Sequence, residues 1–182
     1  MVLTALRTGM RIGELCGLDW GDVDLHKRVI TVRRSLVEGV LGSPKNNRIR
    51  YIPISEDLLV ALREQGGTKG FIFKRSNGIP LQIMFAWRGL QTLCLKANLR
   101  KIGWHALRHT FASHLVMRGV PMRTVQSLMG HSTMQMTERY SHLAPSPLFD
   151  AIAMLETQKI VEVENLGQQV GNTRKNSVAW AV

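Results

Sequence analysis

HALRHTFA, residues 105–112, places His105, Arg108 and His109 within five positions of one another. On a helix, residues three and four positions apart lie on one face, so these side chains are expected to point the same way. The arginine offers paired planar donors and keeps its charge, and an imidazole beside it completes a fork for two phosphate oxygens. The stretch therefore predicts a helix whose basic face binds phosphate.

Two other interpretations of this basic face stay open. It can be exposed to solvent, and the spacing of His105 and His109 is also that of a metal-binding pair. A zinc protease motif needs a glutamate that this stretch lacks, and Cys16 and Cys94 do not form a C-x-x-C pair. We therefore expect no metal and no cofactor.

Helical spacing of apolar residues dominates the C-terminal two thirds of the chain. Helices are predicted at three places: residues 81–99, 106–117 and 121–128. Gly130 is expected to end the third, and Ser132 or Thr133 to cap a further helix that carries Tyr140. A last helix is expected over residues 148–158, after the prolines at 145 and 147.

The N-terminal third predicts a small antiparallel sheet. Residues 29–36 are rich in β-branched side chains and residues 48–54 alternate apolar and polar positions. Glycines and a proline between them predict a turn that carries Lys45. Short helices are expected at residues 11–18 and from Ser55 to Gly66. The predicted fold class is α+β, predominantly α-helical.

The charge distribution indicates a polyanionic partner. The chain has 24 Lys and Arg against 13 Asp and Glu, a net charge of +11. Between residues 26 and 51 the basic residues number seven and the acidic residues one, so the charge is concentrated in a folded stretch rather than in a tail. Four arginines of this stretch are expected to contact nucleic acid: Arg33, Arg34, Arg48 and Arg50.

Length and hydropathy predict one domain with a tail. We expect the domain over residues 1–158 and the tail over residues 159–182. No apolar run reaches the roughly 18 residues that span a bilayer, and the apolar opening is too short for a signal peptide. With two cysteines far apart, a cytoplasmic protein without membrane contact is expected.

Four motifs in a fixed order resemble the tyrosine recombinases, the family of phage integrases and their chromosomal relatives. They are residues 8–18 (TGMRIGELCGL), 44–46 (PKN), 105–112 (HALRHTFA), and 128–132 (LMGHS) followed by 140–142 (YSH). The resemblance extends over residues 4–143. It implies the catalytic-domain fold of that family, with a small three-stranded antiparallel sheet.

The resemblance also implies a clamp for the DNA phosphate that is cut. Arg11 and Arg108 are expected to hold this phosphate, and His131 to donate a third contact. Glu14 is expected to orient Arg11 rather than to touch DNA.

The same resemblance implies the chemistry of strand cleavage. Tyr140 is expected to be the nucleophile that leaves a 3′-phosphotyrosyl link, and Lys45 the general acid for the departing 5′ oxygen. His105 is expected to act as general base or hydrogen-bond partner. The other histidines, at 109, 114 and 142, are expected to be structural. The implied activity is site-specific recombination without metal or ATP.

Double-stranded DNA is the partner that the resemblance implies. A monomer in solution and a tetramer on DNA are expected, with the tail docked on a neighbouring protomer and DNA-bending accessory proteins as further partners. Members of the family usually carry a helical domain before the catalytic one, so the chain is expected to be an N-terminally truncated form. A bacterial or phage origin and association with the nucleoid are the family's commonest case.

Two alternatives to a recombinase remain. One is a DNA-binding remnant of an integrase that no longer cuts DNA. The other is a type IB topoisomerase-like enzyme, which shares the chemistry but does not pair two sites. The short spacing from His131 to Tyr140 favours the recombinase over the topoisomerase.

Overall fold

The computed structural model describes residues 1–44 and 48–145. Its helices are α1 (Val2–Thr8), α2 (Ile12–Cys16), α3 (Glu56–Gln65), α4 (Ile83–Lys96), α5 (Trp104–Met117), α6 (Met122–Met129) and α7 (Gln135–Glu138). Its strands are β1 (Val23–Asp24), β2 (Val29–Val32), β3 (Ser35–Val37), β4 (Val40–Gly42) and β5 (Arg50–Pro53). Short 3₁₀ helices span Trp20–Asp22 and Ser141–Leu143. The predicted α+β class, mostly helical, is confirmed.

The sheet has three antiparallel strands in the order β1-β2-β5, as the resemblance implied. Ile30 of β2 lies opposite Ile52 of β5, and both are fully buried. β3 and β4 form a separate hairpin. The single strand predicted over residues 29–36 is therefore two strands. The break between β2 and β3 falls at Arg33 and Arg34, whose guanidinium groups both pair with the buried carboxylate of Asp22.

The main core lies between the sheet and the helices. Apolar side chains of β2, β5 and α3 belong to one buried cluster, because every second strand residue and every third or fourth helix residue faces inward. A second cluster joins α5, α6 and Tyr140. α1 packs along α5, and the carbonyls of Gly9 after α1 and Met129 at the end of α6 both accept hydrogen bonds from Arg108 of α5.

The segment after α6 differs from the prediction. Neither Ser132 nor Thr133 caps a helix; α7 begins at Gln135 and ends at Glu138, before Tyr140. From there the backbone continues in i→i+3 hydrogen bonds, with Tyr140 N–H donating to the Thr137 carbonyl at 3.0 Å. This tighter path turns Tyr140 inward onto the second cluster.

Several predictions lie outside the described residues. These are the Lys45 turn, the helix over residues 148–158 and the domain boundary at residue 158. Residues 1–145 form one compact unit. In the described ranges, no helix combines the length and the apolar character needed to cross a membrane.

Candidate active site

Arg108 is fixed by the ends of two other helices. Its guanidinium is 5% exposed and donates to the carbonyl of Gly9, which follows α1, and at 2.5 Å to the carbonyl of Met129, the last residue of α6. Burial, followed by the nearby charge of Arg11, lowers the pKa of Arg108 to about 9. The group therefore keeps its charge at neutral pH and is held rigidly.

Gly9 makes this contact sterically feasible. Its φ of +62° is a left-handed conformation that glycine adopts without strain, and it ends α1 beside α5. A Cβ at this position would collide with the ring of Phe111. The glycine in the motif at residues 8–18 thus allows α1 and α5 to approach closely enough for the Arg108 contact.

Arg11 lies at the start of α2, with Glu14 against it. The Arg11 backbone N–H donates to Glu14 Oε2 at 2.7 Å, and its side chain donates to Glu14 Oε1 at 3.2 Å. A further Arg11 N–H donates to the carbonyl of Gly130 at 3.3 Å. Glu14 is 1% exposed. This geometry is consistent with the predicted role of Glu14 in orienting Arg11.

Arg50 does not take the place that was predicted for it. Instead of facing DNA, its guanidinium is 8% exposed and donates to both oxygens of Glu14, at 2.9 and 2.7 Å. Its Nε also donates to the carbonyl of Leu128 at 3.0 Å. Because Arg50 alternates with the buried Ile52 and Ile54, its side chain belongs to the inner face of the sheet. The charge of Arg50 is paired with that of Glu14, although the side chain also contributes to the lining of a cleft beside the pocket.

His131 follows the left-handed Gly130 that ends α6. Its ring is 9% exposed, and Nδ1 lies 2.9 Å from the Thr137 hydroxyl of α7. Burial, followed by the charges of Arg108 and Arg11, lowers the pKa of His131 to about 4. The ring is therefore neutral at neutral pH. If Thr137 donates to Nδ1, the proton is on Nε2, which can donate to an anion.

Tyr140 is hydrogen-bonded to His109, a histidine that was predicted to be structural. Its hydroxyl lies 2.5 Å from Nδ1 of His109, and the side chain is 5% exposed. Burial raises the pKa of Tyr140, partly offset by Arg139 and Arg108. His105, expected to assist Tyr140, lies one helical turn away and packs edge-on against His109 with ring centroids 6.0 Å apart. Helical spacing placed both histidines on one face but did not show which one reaches Tyr140.

These side chains line one pocket of about 150 Å³. Its lining is Arg11, His105, Arg108, His109, Met129, His131, Met136, Arg139 and Tyr140. At about 30 Å³ per water molecule, the volume corresponds to about five waters, which is enough room for a phosphate group. Of the six residues expected to be catalytic, the structure brings five together. The sixth, Lys45, lies outside the described residues.

The other predicted DNA contacts differ in their surroundings. Arg34 donates to Asp22 at 2.6 Å, and Arg33 pairs with the same carboxylate, so much of their charge is neutralised within the protein. Arg48 is exposed and lines a cleft of about 410 Å³ that His131 also lines. Arg123 of α6 lies on the same cleft and was not predicted. Arg48 and Arg123 thus leave positive charge beside the pocket.

The fold and pocket define a class: a mostly helical domain whose buried tyrosine shares a basic pocket with three arginines and three histidines. The model of the phage integrase family matches residues 1–146, which is most of the chain. The chain therefore belongs to the phage integrase family, and the resemblance found in its motifs is confirmed.

Curated relatives of this chain are tyrosine recombinases. The tyrosine recombinase XerA of Pyrococcus furiosus is 32% identical, with 84% of this chain and 52% of the relative covered. The tyrosine recombinase XerC of Xylella fastidiosa is 35% identical, with 75% of this chain and 45% of the relative covered. The chain thus spans about half the length of the curated relatives that it matches.

Solved structures show the same fold. The Tn1549 transposon integrase in complex with circular intermediate DNA has a TM-score of 0.70 and 30% identity, over 86% of this chain and 58% of that one. The catalytic domain of bacteriophage HP1 integrase has a TM-score of 0.64 and 30% identity, over 84% of this chain and 78% of that one.

Proposed function

We propose that this chain is the catalytic part of a site-specific recombinase that cuts and rejoins DNA strands through Tyr140. The observation that carries the proposal is the shared pocket: Tyr140 lines it together with Arg11, Arg108 and His131, and it has room for a phosphate group. A DNA phosphate bound to these donors would lie beside the Tyr140 hydroxyl. Membership of the phage integrase family supports the same reaction.

The fixed donors account for how the reaction would be accelerated. Attack on a phosphodiester builds negative charge on the oxygens around phosphorus, and donors positioned beforehand stabilise this charge without reorganising. Arg108 is held by two backbone carbonyls and Arg11 by Glu14, so neither side chain needs to be ordered during the reaction. His131 supplies a neutral Nε2–H donor if Thr137 donates to its Nδ1.

The covalent intermediate would remove the need for an energy source. Tyr140 becomes joined to the 3′ phosphate, and the 5′ oxygen leaves with a proton from Lys45, which lies between β4 and β5 in the chain. The phosphotyrosyl bond retains the free energy of the phosphodiester, so another 5′ hydroxyl can reverse the step. Rejoining then requires neither ATP nor metal.

Double-stranded DNA is the proposed partner. Support comes from the charge of +11, from the exposed Arg48 and Arg123, and from the Tn1549 integrase, whose structure contains circular intermediate DNA. We extend the proposal to a tetramer on DNA, with residues after Pro145 joining neighbouring protomers and DNA-bending proteins assisting. In the cell this places the chain at the nucleoid of a bacterium or on phage DNA.

Covalent capture tests the proposal. The chain and its Tyr140→Phe variant are incubated, without metal, with supercoiled plasmid and with nicked duplexes from the flanks of its gene. The expected result is a protein–DNA band from the parent alone that protease removes. Equal salt-sensitive binding by both chains with no band from either would instead indicate a DNA-binding remnant. Relaxed plasmid with no joining of two duplexes would indicate a topoisomerase-like enzyme.

A further inference from the structure

We propose that His109 accepts the proton of the Tyr140 hydroxyl during attack on phosphorus. This inference rests on the proposed function, because it assigns a further catalytic residue to the same reaction. The hydroxyl and Nδ1 of His109 are 2.5 Å apart, so acceptor and nucleophile are in contact before DNA is bound. The rings lie 5.9 Å apart between centroids and are tilted by 49°.

A proton acceptor is needed because Tyr140 is a neutral phenol at rest. A free tyrosine has a pKa of about 10, and burial raises the pKa of Tyr140 further. The phenolate is the stronger nucleophile, so the proton must leave as the bond to phosphorus forms. The group that removes it has to lie within hydrogen-bond reach of the hydroxyl, either directly or through one water.

The other polar groups that line the pocket are less suited to this task. Nδ1 of His131 is occupied by the Thr137 hydroxyl at 2.9 Å. Arg11, Arg108 and Arg139 carry donors but no acceptor. The ring of His105 also lines the pocket, but its contact is edge-on with His109, at 6.0 Å between ring centroids. In the part of the chain that the structure describes, the hydrogen bond to the Tyr140 hydroxyl is made by His109.

Burial and the charges around His109 favour its neutral form, which can accept a proton. Burial lowers the pKa of His109, followed by the effects of His105, Arg139 and Arg108. The ring is therefore neutral at neutral pH, and the Nε2–H tautomer leaves the Nδ1 lone pair for the hydroxyl. The titratable and charged groups that face the ring are His105 and Arg108 of α5, His131 after α6, and Arg139 and Tyr140 after α7.

The Tyr140 oxygen forms a bond to phosphorus, and its proton passes to Nδ1 of His109, which becomes an imidazolium. The bond from phosphorus to the 5′ oxygen breaks, and that oxygen takes a proton from Lys45. The new positive charge on His109 lies beside the negative charge that develops on the phosphoryl oxygens. In rejoining, His109 returns the proton to Tyr140.

Capture rates measured in single turnover from pH 5 to pH 9 test the assignment. His109→Ala removes the ring, and His109→Asn keeps an acceptor near the Nδ1 position but takes up no proton. Both variants are expected to capture nicked duplex roughly 100-fold more slowly than the parent. The parent rate should fall at acid pH as His109 becomes protonated, at a lower pH than for an ordinary imidazole because the pKa of His109 is lowered, and His109→Asn should lose this inflection.

The control variant is His105→Asn, one helical turn away on the same face. The assignment predicts a smaller loss for this control than for His109→Asn. If His109→Asn captures DNA at the parent rate with the parent pH profile, His109 merely holds Tyr140 in place and the assignment is wrong. It is equally wrong if His105→Asn alone loses the inflection.

A modified substrate separates the two proton transfers. DNA with sulfur at the bridging 5′ position releases a thiolate, which needs no proton to depart. This substrate is expected to restore capture by Lys45→Ala but not by His109→Asn. Restoration of both variants would contradict the assignment. If the parent chain captures neither substrate, the proposed function itself is contradicted. If the parent captures DNA and the His109 variants capture it equally fast, only the assignment of His109 is contradicted.

Discussion

At the scale of single residues, one carboxylate organises the cationic side of the pocket. Glu14 is nearly inaccessible and accepts hydrogen bonds from Arg11 and Arg50 at once. Burial alone would raise the pKa of Glu14, but the hydrogen bonds and charges of Arg50 and Arg11 outweigh it and lower the pKa. Two arginines and one carboxylate leave a net positive charge, which suits a phosphate site.

Replacing Glu14 by glutamine is expected to destabilise the fold by about 3 kcal/mol at neutral pH, because the buried charge of Arg50 loses its counter-ion. Urea unfolding of the parent and Glu14→Gln measures the difference. A carboxylate whose pKa is lowered by folding stabilises the fold at pH values above the pKa that it has in the unfolded chain. The difference in free energy of unfolding should therefore shrink as the pH falls below about 4.5. A difference that stays constant down to pH 3 would contradict this account.

The residue scale also shows where sequence reasoning was incomplete. Arg48 and Arg50 were given one role because both belong to a basic stretch. The alternation of Arg50 with the apolar Ile52 and Ile54 would have indicated that its side chain faces inward, which is where the structure has it. His109 is different: spacing gave no means to choose it over His105, because the position of Tyr140 after α7 decides which histidine it meets.

At the scale of elements, the pocket is assembled from helix ends. Arg108 in the middle of α5 bonds to the carbonyl at the end of α6 and to Gly9 after α1, and Arg11 begins α2. β5 joins this arrangement through Arg50, which contacts Glu14 of α2 and Leu128 of α6. Helix positions were predicted well because their apolar spacing is local. The short α7 was not, since its end depends on tertiary packing of Tyr140.

The link from β5 can be tested with a charge-conserving change. Arg50→Lys keeps the positive charge but cannot form the paired hydrogen bonds to Glu14, so Arg11 and the end of α6 lose their fixed spacing. Covalent capture is expected to slow by roughly 10-fold. The matched control is Arg48→Lys, two residues earlier and exposed, which should remain close to the parent. Equal rates for all three chains would contradict the positioning role of Arg50.

At the scale of the whole molecule, the arginines fall into two groups: those paired with buried carboxylates and those exposed to solvent beside the pocket. Arg33, Arg34 and Arg50 pair with buried carboxylates, whereas Arg48 and Arg123 are exposed beside the pocket. The net charge of +11 predicted a polyanionic partner, but it did not indicate which arginines pair with carboxylates inside the protein. That division depends on the positions of Asp22 and Glu14 in the folded chain.

The salt dependence of DNA binding distinguishes the paired arginines from the exposed ones. A side chain that neutralises one phosphate contributes about 0.9 to the slope of log K against log salt. Arg48→Ala is therefore expected to reduce the slope by about 1 on duplex DNA, measured by fluorescence anisotropy at several salt concentrations. Arg33→Ala, whose partner is Asp22, should change it much less. The opposite order would show that Arg33 leaves Asp22 when DNA binds.

The central claim is that Tyr140 is the nucleophile, and the direct test is to locate the bond between protein and DNA. Captured complexes are digested, and the nucleotide-bearing peptide is sequenced by mass spectrometry, while a kinase labels any free 5′ hydroxyl on the released strand. The account predicts an adduct on Tyr140 through a 3′ phosphate, together with a labelled 5′ end. An adduct on any other residue, or a 5′ phosphate at the break, would contradict it.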